Sequence, residues 1–375
     1  MENKETSTLT NDWEIKGRIL CIADIHQNIA WAKAIIALEE GDYDHIVFGG
    51  DFFDSFWNPP KVASVKETAQ FVLDIQSGKY GPATCLLGNH DVAYLEAWRS
   101  TSKFSNPKYL FNACSGYTNS KAHEINHLFK WDDWKKFKLF ALCNGWLLTH
   151  AGLRANNFRP FLNPLKSLGV LEEEFNQAVN HINAFPHHLF VCGRESGGPA
   201  EFGGPLWLRP QHFEDNEIPY PQIFGHTHTG KGAANQYGRS FCIDGGQTTY
   251  AIIQPDGSIK IKNARAMETN LSGVEHPYIL EGAKIQKCET TSERIVKIDA
   301  AIEKLEIRAK KEGKTAAQIV MDEARVDDVN SMTESEKLIV YQLFEKEMKE
   351  KEGRGETIVY ETPEEYIKRA GNKTK

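Results

Sequence analysis

The sequence predicts an α/β fold containing a substantial parallel sheet, and three observations carry that expectation. Up to about residue 265, short apolar runs alternate with Gly, Asn, Asp and Pro punctuation. Stretches with apolar residues at helical spacing separate the early runs, an alternation that folds as parallel strands joined by crossover helices. Each run also stops abruptly at a polar residue, as a buried strand does where it enters a loop.

In chain order, "GRILCIAD", "HIVFGGD", "TCLLGNHD", "WLLTHAG", "PQIFGHTH" and "SFCIDGG" read as strands entering loops. Between the first two, "NIAWAKAIIALEE" sets Ile29, Ala32, Ile35 and Ile36 on one helical face, and "SVKETAQFVLDIQ" does the same with Val65, Phe71, Val72 and Ile75. "TTYAIIQPDGSIKIKN" reads as an antiparallel hairpin turning at Asp256-Gly257. These readings divide the chain into a polar segment over 1–17, a main domain over 18–265, a linker over 266–285 and a charged helical extension over 286–375.

In the extension, Thr290 and Glu293 have capping-box spacing, in which each side chain satisfies a free backbone N–H. Ile295, Ile298, Ile302 and Leu305 then line one helical face. Further helices are expected from Thr333–Glu336 to Gly353 and from Thr362, with Pro363 in the first turn. The Ile/Leu stripe covers about two heptads, short of the three or four that define a coiled coil. Packing on the main domain and self-association or partner binding through residues 286–350 both stay open.

Composition narrows the function classes. A formal net charge of -7 argues against a dedicated nucleic-acid binder, without excluding a nucleotide held through metal ions. The start "MENKETSTLTNDWEIKG" has no apolar h-region, so no secretory signal is expected. No stretch approaches the roughly 18 apolar residues of a membrane span. The seven cysteines form no C-x-x-C pair and several sit inside apolar runs, which predicts reduced core thiols in a cytoplasmic protein.

Five of the apolar runs end in oxygen or imidazole donors. Asp24 and His26 follow the first, Asp51 and Asp54 the second, and Asn89, His90 and Asp91 the third; His150 closes the fourth, and His226 and His228 the fifth. Loops at the carboxyl ends of strands form the usual site crevice of α/β sheets. Carboxylates, an amide oxygen and imidazoles without thiolate suit Mn, Fe, Zn or Co, and the set is large enough for two ions sharing a ligand.

The ordered stretches "DIH", "GDFFD", "GNHD", "THAG" and "GHTH" resemble the calcineurin-like metallophosphoesterases over roughly residues 18 to 262. "THAG" and "GPLWLRP" look more like the bacterial and phage phosphoprotein-phosphatase branch, including its dinucleoside-polyphosphatase relatives. The resemblance implies two facing mixed β-sheets flanked by helices, in four α-β-β-α layers, with the helical extension added. It implies one divalent ion on Asp24, His26, Asp51 and His228, and a second on Asp51, Asn89, His150 and His226, with Asp51 as bridge. Mn²⁺ is the expected metal, with Fe, Zn, Co or Ni as alternatives.

By the same resemblance, a hydroxide bridging the two ions attacks phosphorus in line with the leaving oxygen. His90 protonates that oxygen, oriented by Asp54. Phosphate also wants a guanidinium clamp. The eukaryotic-type G-D-x-x-D-R-G has its arginine where this chain has Ser55, so the candidates are Arg209 in "LWLRP" and Arg194 in "CGRESGG". That absence counts against typical phosphoprotein activity. Phe53, Phe56, Trp57 and Phe202 sit on candidate rim loops, where packing on each other is preferred over stacking on a base.

The expected activity is hydrolysis of a phosphomonoester or phosphoanhydride, on a phosphorylated small molecule, a nucleotide or dinucleoside polyphosphate, or a phosphoserine/threonine peptide. Two alternatives differ in class. One is a phosphodiesterase or nuclease on nucleic-acid ends, which no basic stripe supports. The other is a catalytically inactive scaffold working through its helical tail, against which stands the filled ligand set.

Overall fold

The computed structural model describes residues 14–55, 62–101, 112, 114–157, 162–182, 187–213, 218–230, 232–266, 278–282, 284–288, 291–314, 316, 319–320, 339 and 343. The chain divides into two compact units, Met1–Thr290 and Thr291–Lys375.

The first unit follows the predicted alternation. β1 (Ile19–Ile22), α1 (Ile29–Leu38), β2 (His45–Phe48), α2 (Val65–Gln76), β3 (Ala83–Cys85) and α3 (Asn89–Thr101) come first. After them come α4 (Asn119–Leu128), α5 (Trp131–Trp134), β4 (Phe140–Cys143), β5 (Trp146–Thr149) and α6 (Pro164–Asn180). β6 (Gln222–Phe224), β7 (Ala233–Tyr237), β8 (Ser240–Cys242), β9 (Thr249–Ile253) and β10 (Ile259–Ala266) follow, and β11 (Tyr278–Gly282) and β12 (Lys284–Cys288) end the unit.

Local chemistry explains several boundaries. α2 begins where the Ser64 side chain accepts the Glu67 N–H and Glu67 reaches back to the Ser64 N–H. β9 and β10 form the expected hairpin, and Gly257 at its turn has φ of 80°, a conformation that favours glycine.

Two six-stranded mixed sheets result, in the orders β11-β10-β9-β1-β2-β3 and β12-β7-β8-β6-β5-β4. Strand alternation sends every second residue to the core between them. Ile19 and Cys21 of β1, Ala251 and Ile253 of β9, Trp146 and Leu148 of β5, and Phe241 of β8 share one buried cluster, so the sheets face each other. The intervening residues Leu20, Ile22, Tyr250 and Ile252 pack outward with Trp31, Ile35, Phe71 and Val72 of α1 and α2. Leu147 belongs to the same outer cluster as Leu168, Leu171 and Phe175 of α6.

Around the stretch expected as a linker over 266–285, the described residues add strands to both sheets: β11 pairs antiparallel with β10, and β12, which runs on to Cys288, pairs parallel with β7. These are edge strands, and their backbone pairing rather than an apolar run defines them. That is why no buried-strand signal marks them in the sequence.

In the second unit, α7 (Thr291–Glu312) carries the Ile/Leu stripe, and Ile302 is buried. Of the helix expected after Thr333, Ile339 and Leu343 are described and both are helical. The helix expected after Thr362 lies outside the described residues. Among the described residues no helix is long and apolar enough to cross a membrane. The seven cysteines are free thiols.

Candidate metal centre

β1, β2 and β3 run parallel in one sheet, and β5, β6 and β8 run parallel in the other. The loops leaving them bring the predicted residues into a cavity of about 290 Å³, lined by His26, Asp51, Asn89, His90, His226 and His228 among others. Two donor groups are preassembled there, Asp24–His26–Asp51 and Asp51–His150–His226, with ligand atoms in each within 4.8 Å of one another. Asp51 belongs to both. Its Oδ2 lies 3.7 Å from His26 Nε2 and 3.6 Å from His150 Nε2, while its Oδ1 accepts the His90 N–H at 2.8 Å.

Asn89 joins the second group. Its Oδ1 lies 2.9 Å from His150 Nε2 and 2.9 Å from His226 Nδ1. On the far side of its ring, His150 Nδ1 lies 2.8 Å from the Gly49 carbonyl, so that nitrogen carries the proton. Burial pushes the His150 imidazole down to about 3, leaving the ring neutral at physiological pH. Nε2 therefore presents a lone pair to an amide oxygen and a carboxylate, and such a meeting of acceptors is what a cation between them relieves. By this criterion the residues fit a divalent ion.

The other ionisable groups agree. Burial holds Asp24 well above the usual carboxylate range, reinforced by Asp244, and holds Asp51 up likewise, reinforced by Asp24 and Asp91. Burial lowers His26 to about 4, with His90 adding to the effect. Burial also drives His226 well down, helped by His150 and Arg209. Acids pushed up beside imidazoles pushed down are what an uncompensated cation site produces.

Backbone geometry aims these residues. His26, Asp51, Asp54 and His226 have φ of 44°, 47°, 63° and 65°, in the left-handed region where a residue other than glycine costs roughly 1–3 kcal/mol. The glycines in "GNHD" and "GHTH" allow close approach: a Cβ on Gly88 would run into Asp51 Oδ1, and one on Gly225 into Asp24 Oδ1. The His226 N–H donates to both Asp24 oxygens, at 3.1 and 3.0 Å, which ties the two sheets' loops together.

His228, expected with Asp24, His26 and Asp51, stays outside their group. It is exposed, and its Nδ1 accepts the Gly230 N–H at 3.2 Å while its ring lies against Gly246. It nevertheless lines the same cavity.

His90 also lines the cavity, and its Nδ1 lies 3.1 Å from Asp54 Oδ2. Burial works to raise the Asp54 carboxyl, but hydrogen bonds from His90, Lys121 and Tyr94 outweigh it and hold the group below its ordinary value. Arg209 lines the cavity too; its guanidinium donates to Ser196 Oγ at 3.0 and 2.9 Å and to Thr227 Oγ1 at 3.4 Å. Arg194 is exposed on a one-turn 3₁₀ helix (Arg194–Ser196) and is not among the cavity-lining residues. Phe53 is fully buried against Tyr94 and Phe129, Phe202 lies beside His212 and Arg154, and Phe56 and Trp57 lie outside the described residues.

Four residues outside the expected ligand, acid and phosphate-binding sets also build the site. Asp91 accepts the Phe52 N–H at 2.9 Å and the Gly88 N–H at 3.0 Å, clamping two site loops together. Asp244 lines the cavity just beyond β8, and the strand-end acid in "SFCID" was its visible signal. Tyr94 and Lys121 contact Asp54 from α3 and α4, and no local motif marks either.

The sequence matches the calcineurin-like phosphoesterase family over residues 17–230, and the chain belongs to that family of phosphoester hydrolases. No curated protein matches it in sequence. Among solved structures it is similar to the cold-active protein-tyrosine phosphatase of a psychrophilic Shewanella species, at 17% identity and a TM-score of 0.42, covering 66% of this chain and 80% of that one. A protein serine/threonine phosphatase from Saccharomyces cerevisiae is similar at 11% identity and a TM-score of 0.35, covering 72% and 80%. A metallophosphoesterase from Sphaerobacter thermophilus is similar at 14% identity and a TM-score of 0.31, covering 66% and 87%.

Proposed function

We propose that this chain is a two-metal phosphatase that cleaves a phosphomonoester or phosphoanhydride. The observation that carries the reading is the pair of donor groups sharing Asp51. One ion would rest on Asp24, His26 and Asp51, completed by His228, and the other on Asp51, Asn89, His150 and His226. The carboxylate, amide and imidazole donors suit Mn²⁺, with Fe, Zn, Co or Ni as alternatives. When bound, such ions supply an activated water at neutral pH and neutralise charge on the phosphoryl oxygens.

The chain's own residues complete the reaction. Arg209, held by Ser196 and Thr227, faces the phosphoryl oxygens with a planar fork suited to two of them. His90 gives a proton to the leaving oxygen as the P–O bond breaks, and Asp54 keeps the imidazole oriented through Nδ1. Asp91 keeps the loops bearing Asp51 and Asn89 in register.

A hydrolysis screen of phosphopeptides, nucleotides, dinucleoside polyphosphates and aryl phosphates, with added Mn²⁺ and with chelator, tests the proposal. Turnover should require metal, and His90→Ala should slow esters with poor leaving groups by about 100-fold while sparing activated ones. Purified protein that binds no transition metal and cleaves none of these substrates would overturn it.

A further inference from the structure

The carboxylate that orients His90 is itself held by a lysine lying 67 residues further along the chain. Asp54 is fully buried, and both of its oxygens are engaged. Oδ2 lies 3.1 Å from His90 Nδ1, while Oδ1 accepts the Tyr94 hydroxyl at 2.6 Å and the Lys121 ammonium at 2.7 Å. A buried carboxylate is tenable only when paired and fully hydrogen-bonded, and removing one partner typically costs more than the pair contributes.

The surroundings of Lys121 show a built contact. The residue sits in the first turn of α4, where the Thr118 cap accepts its backbone N–H at 3.2 Å. Its ammonium also donates to the Gly116 carbonyl at 2.8 Å, closing residues 116–121 over Asp54. The approach is so tight that a Cβ on Gly116 would lie 2.9 Å from the Asp54 carboxyl carbon. Tyr94, the second donor to the same oxygen, is fixed between the rings of Phe53 and Tyr117, each 5.3 Å away. Lys121 is not among the residues that line the cavity, so a direct hold on substrate does not account for it.

We propose that Lys121 is a positioning residue: its ammonium, with the Tyr94 hydroxyl, locks the Asp54 carboxylate in the orientation that presents His90 to the leaving oxygen. The inference rests on the acid role of His90 set out above. It adds a contact from α4 that none of the motifs contains. Loss of the lysine should leave substrate binding intact and lower the rate only where the leaving oxygen needs a proton.

Steady-state kinetics of Mn²⁺-loaded enzyme on phenyl phosphate and 2,4-dinitrophenyl phosphate test this. Lys121→Met should lower kcat about tenfold or more on phenyl phosphate and less than about threefold on the dinitrophenyl ester, with KM unchanged on both. Lys121→Arg should restore most of the loss, and Lys121→Met should add nothing in a His90→Ala background. Should Lys121→Met fail to fold by thermal unfolding, Tyr94→Phe removes the other donor to the same oxygen and should give the same selective pattern. Equal loss on both esters, a change confined to KM, or additive losses in the double variant would overturn the positioning role while leaving the acid role of His90 standing. If His90→Ala itself shows no dependence on the leaving group, the acid role fails, and the role of Lys121 falls with it.

Discussion

The two donor groups of the candidate metal centre share Asp51 but are built differently. On one side His150 directly follows β5, is fully buried, and meets the Asn89 oxygen at 2.9 Å, as does His226. On the other, His26 Nε2 stands 4.0 Å from Asp24 and 3.7 Å from Asp51, and His228, four residues beyond the end of β6, remains exposed. A ligand at the very end of a strand inherits the rigidity of the sheet. One further out depends on its own loop contacts, among them the N–H of Gly230. The first donor group is tightly packed, and the second is more open, with His228 outside it.

That contrast can be broken most directly at the residue common to both halves. Asp51→Asn should remove both ions and cut turnover by at least about 100-fold on every substrate, the scale of losing a central electrostatic stabiliser. Metal content by plasma emission checks it alongside activity. Retention of one ion at full stoichiometry would show that Asp51 serves a single site.

The halves should also differ in affinity. Titration with Mn²⁺ is expected to resolve two unequal binding events, with His150→Ala abolishing the tighter one. His228→Ala should weaken only the looser one, by about tenfold, the lower end of what a mispositioned ligand costs. Two indistinguishable events, or His228→Ala acting on the tighter one, would contradict the contrast.

Proton linkage sharpens it further. Asp24 and Asp51 are held above their ordinary range by burial, so in the metal-free protein they keep protons to higher pH than exposed acids do. A metal must displace those protons, so affinity should fall as pH drops through the raised values and binding should release protons. His150 at about 3 and His26 at about 4 are already neutral there and contribute no such release. Calorimetry in buffers of different ionisation enthalpy reads the proton count. Proton uptake on binding would reverse the predicted sign.

The smallest effect separates the two arginines. Arg209→Ala should raise KM about tenfold, as loss of a bidentate phosphate contact does, while Arg194→Ala should change it less than about twofold.

What was legible in the sequence follows the same division. Candidate donors at strand ends announce themselves, because an apolar run must stop where the chain turns polar; Asp24, Asp51, Asn89, His150 and His226 all have that signature. Asp244 has it too, at the end of a sixth run, but no partner motif drew notice to it. The contacts of Lys121 and Tyr94 with Asp54 are tertiary, made by polar side chains on helices, and no local pattern encodes them. β11 and β12 were hidden for a related reason: edge strands are defined by backbone pairing, with the preceding strand β10 for β11 and with the more distant β7 for β12.

The central claim is that two cations share one carboxylate, and electron paramagnetic resonance of the Mn²⁺-loaded protein tests it most directly. Ions bridged about 3.5–4 Å apart should give an exchange-coupled spectrum at two Mn²⁺ per chain, lost in Asp51→Asn. A spectrum of isolated Mn²⁺ at full loading would contradict the account.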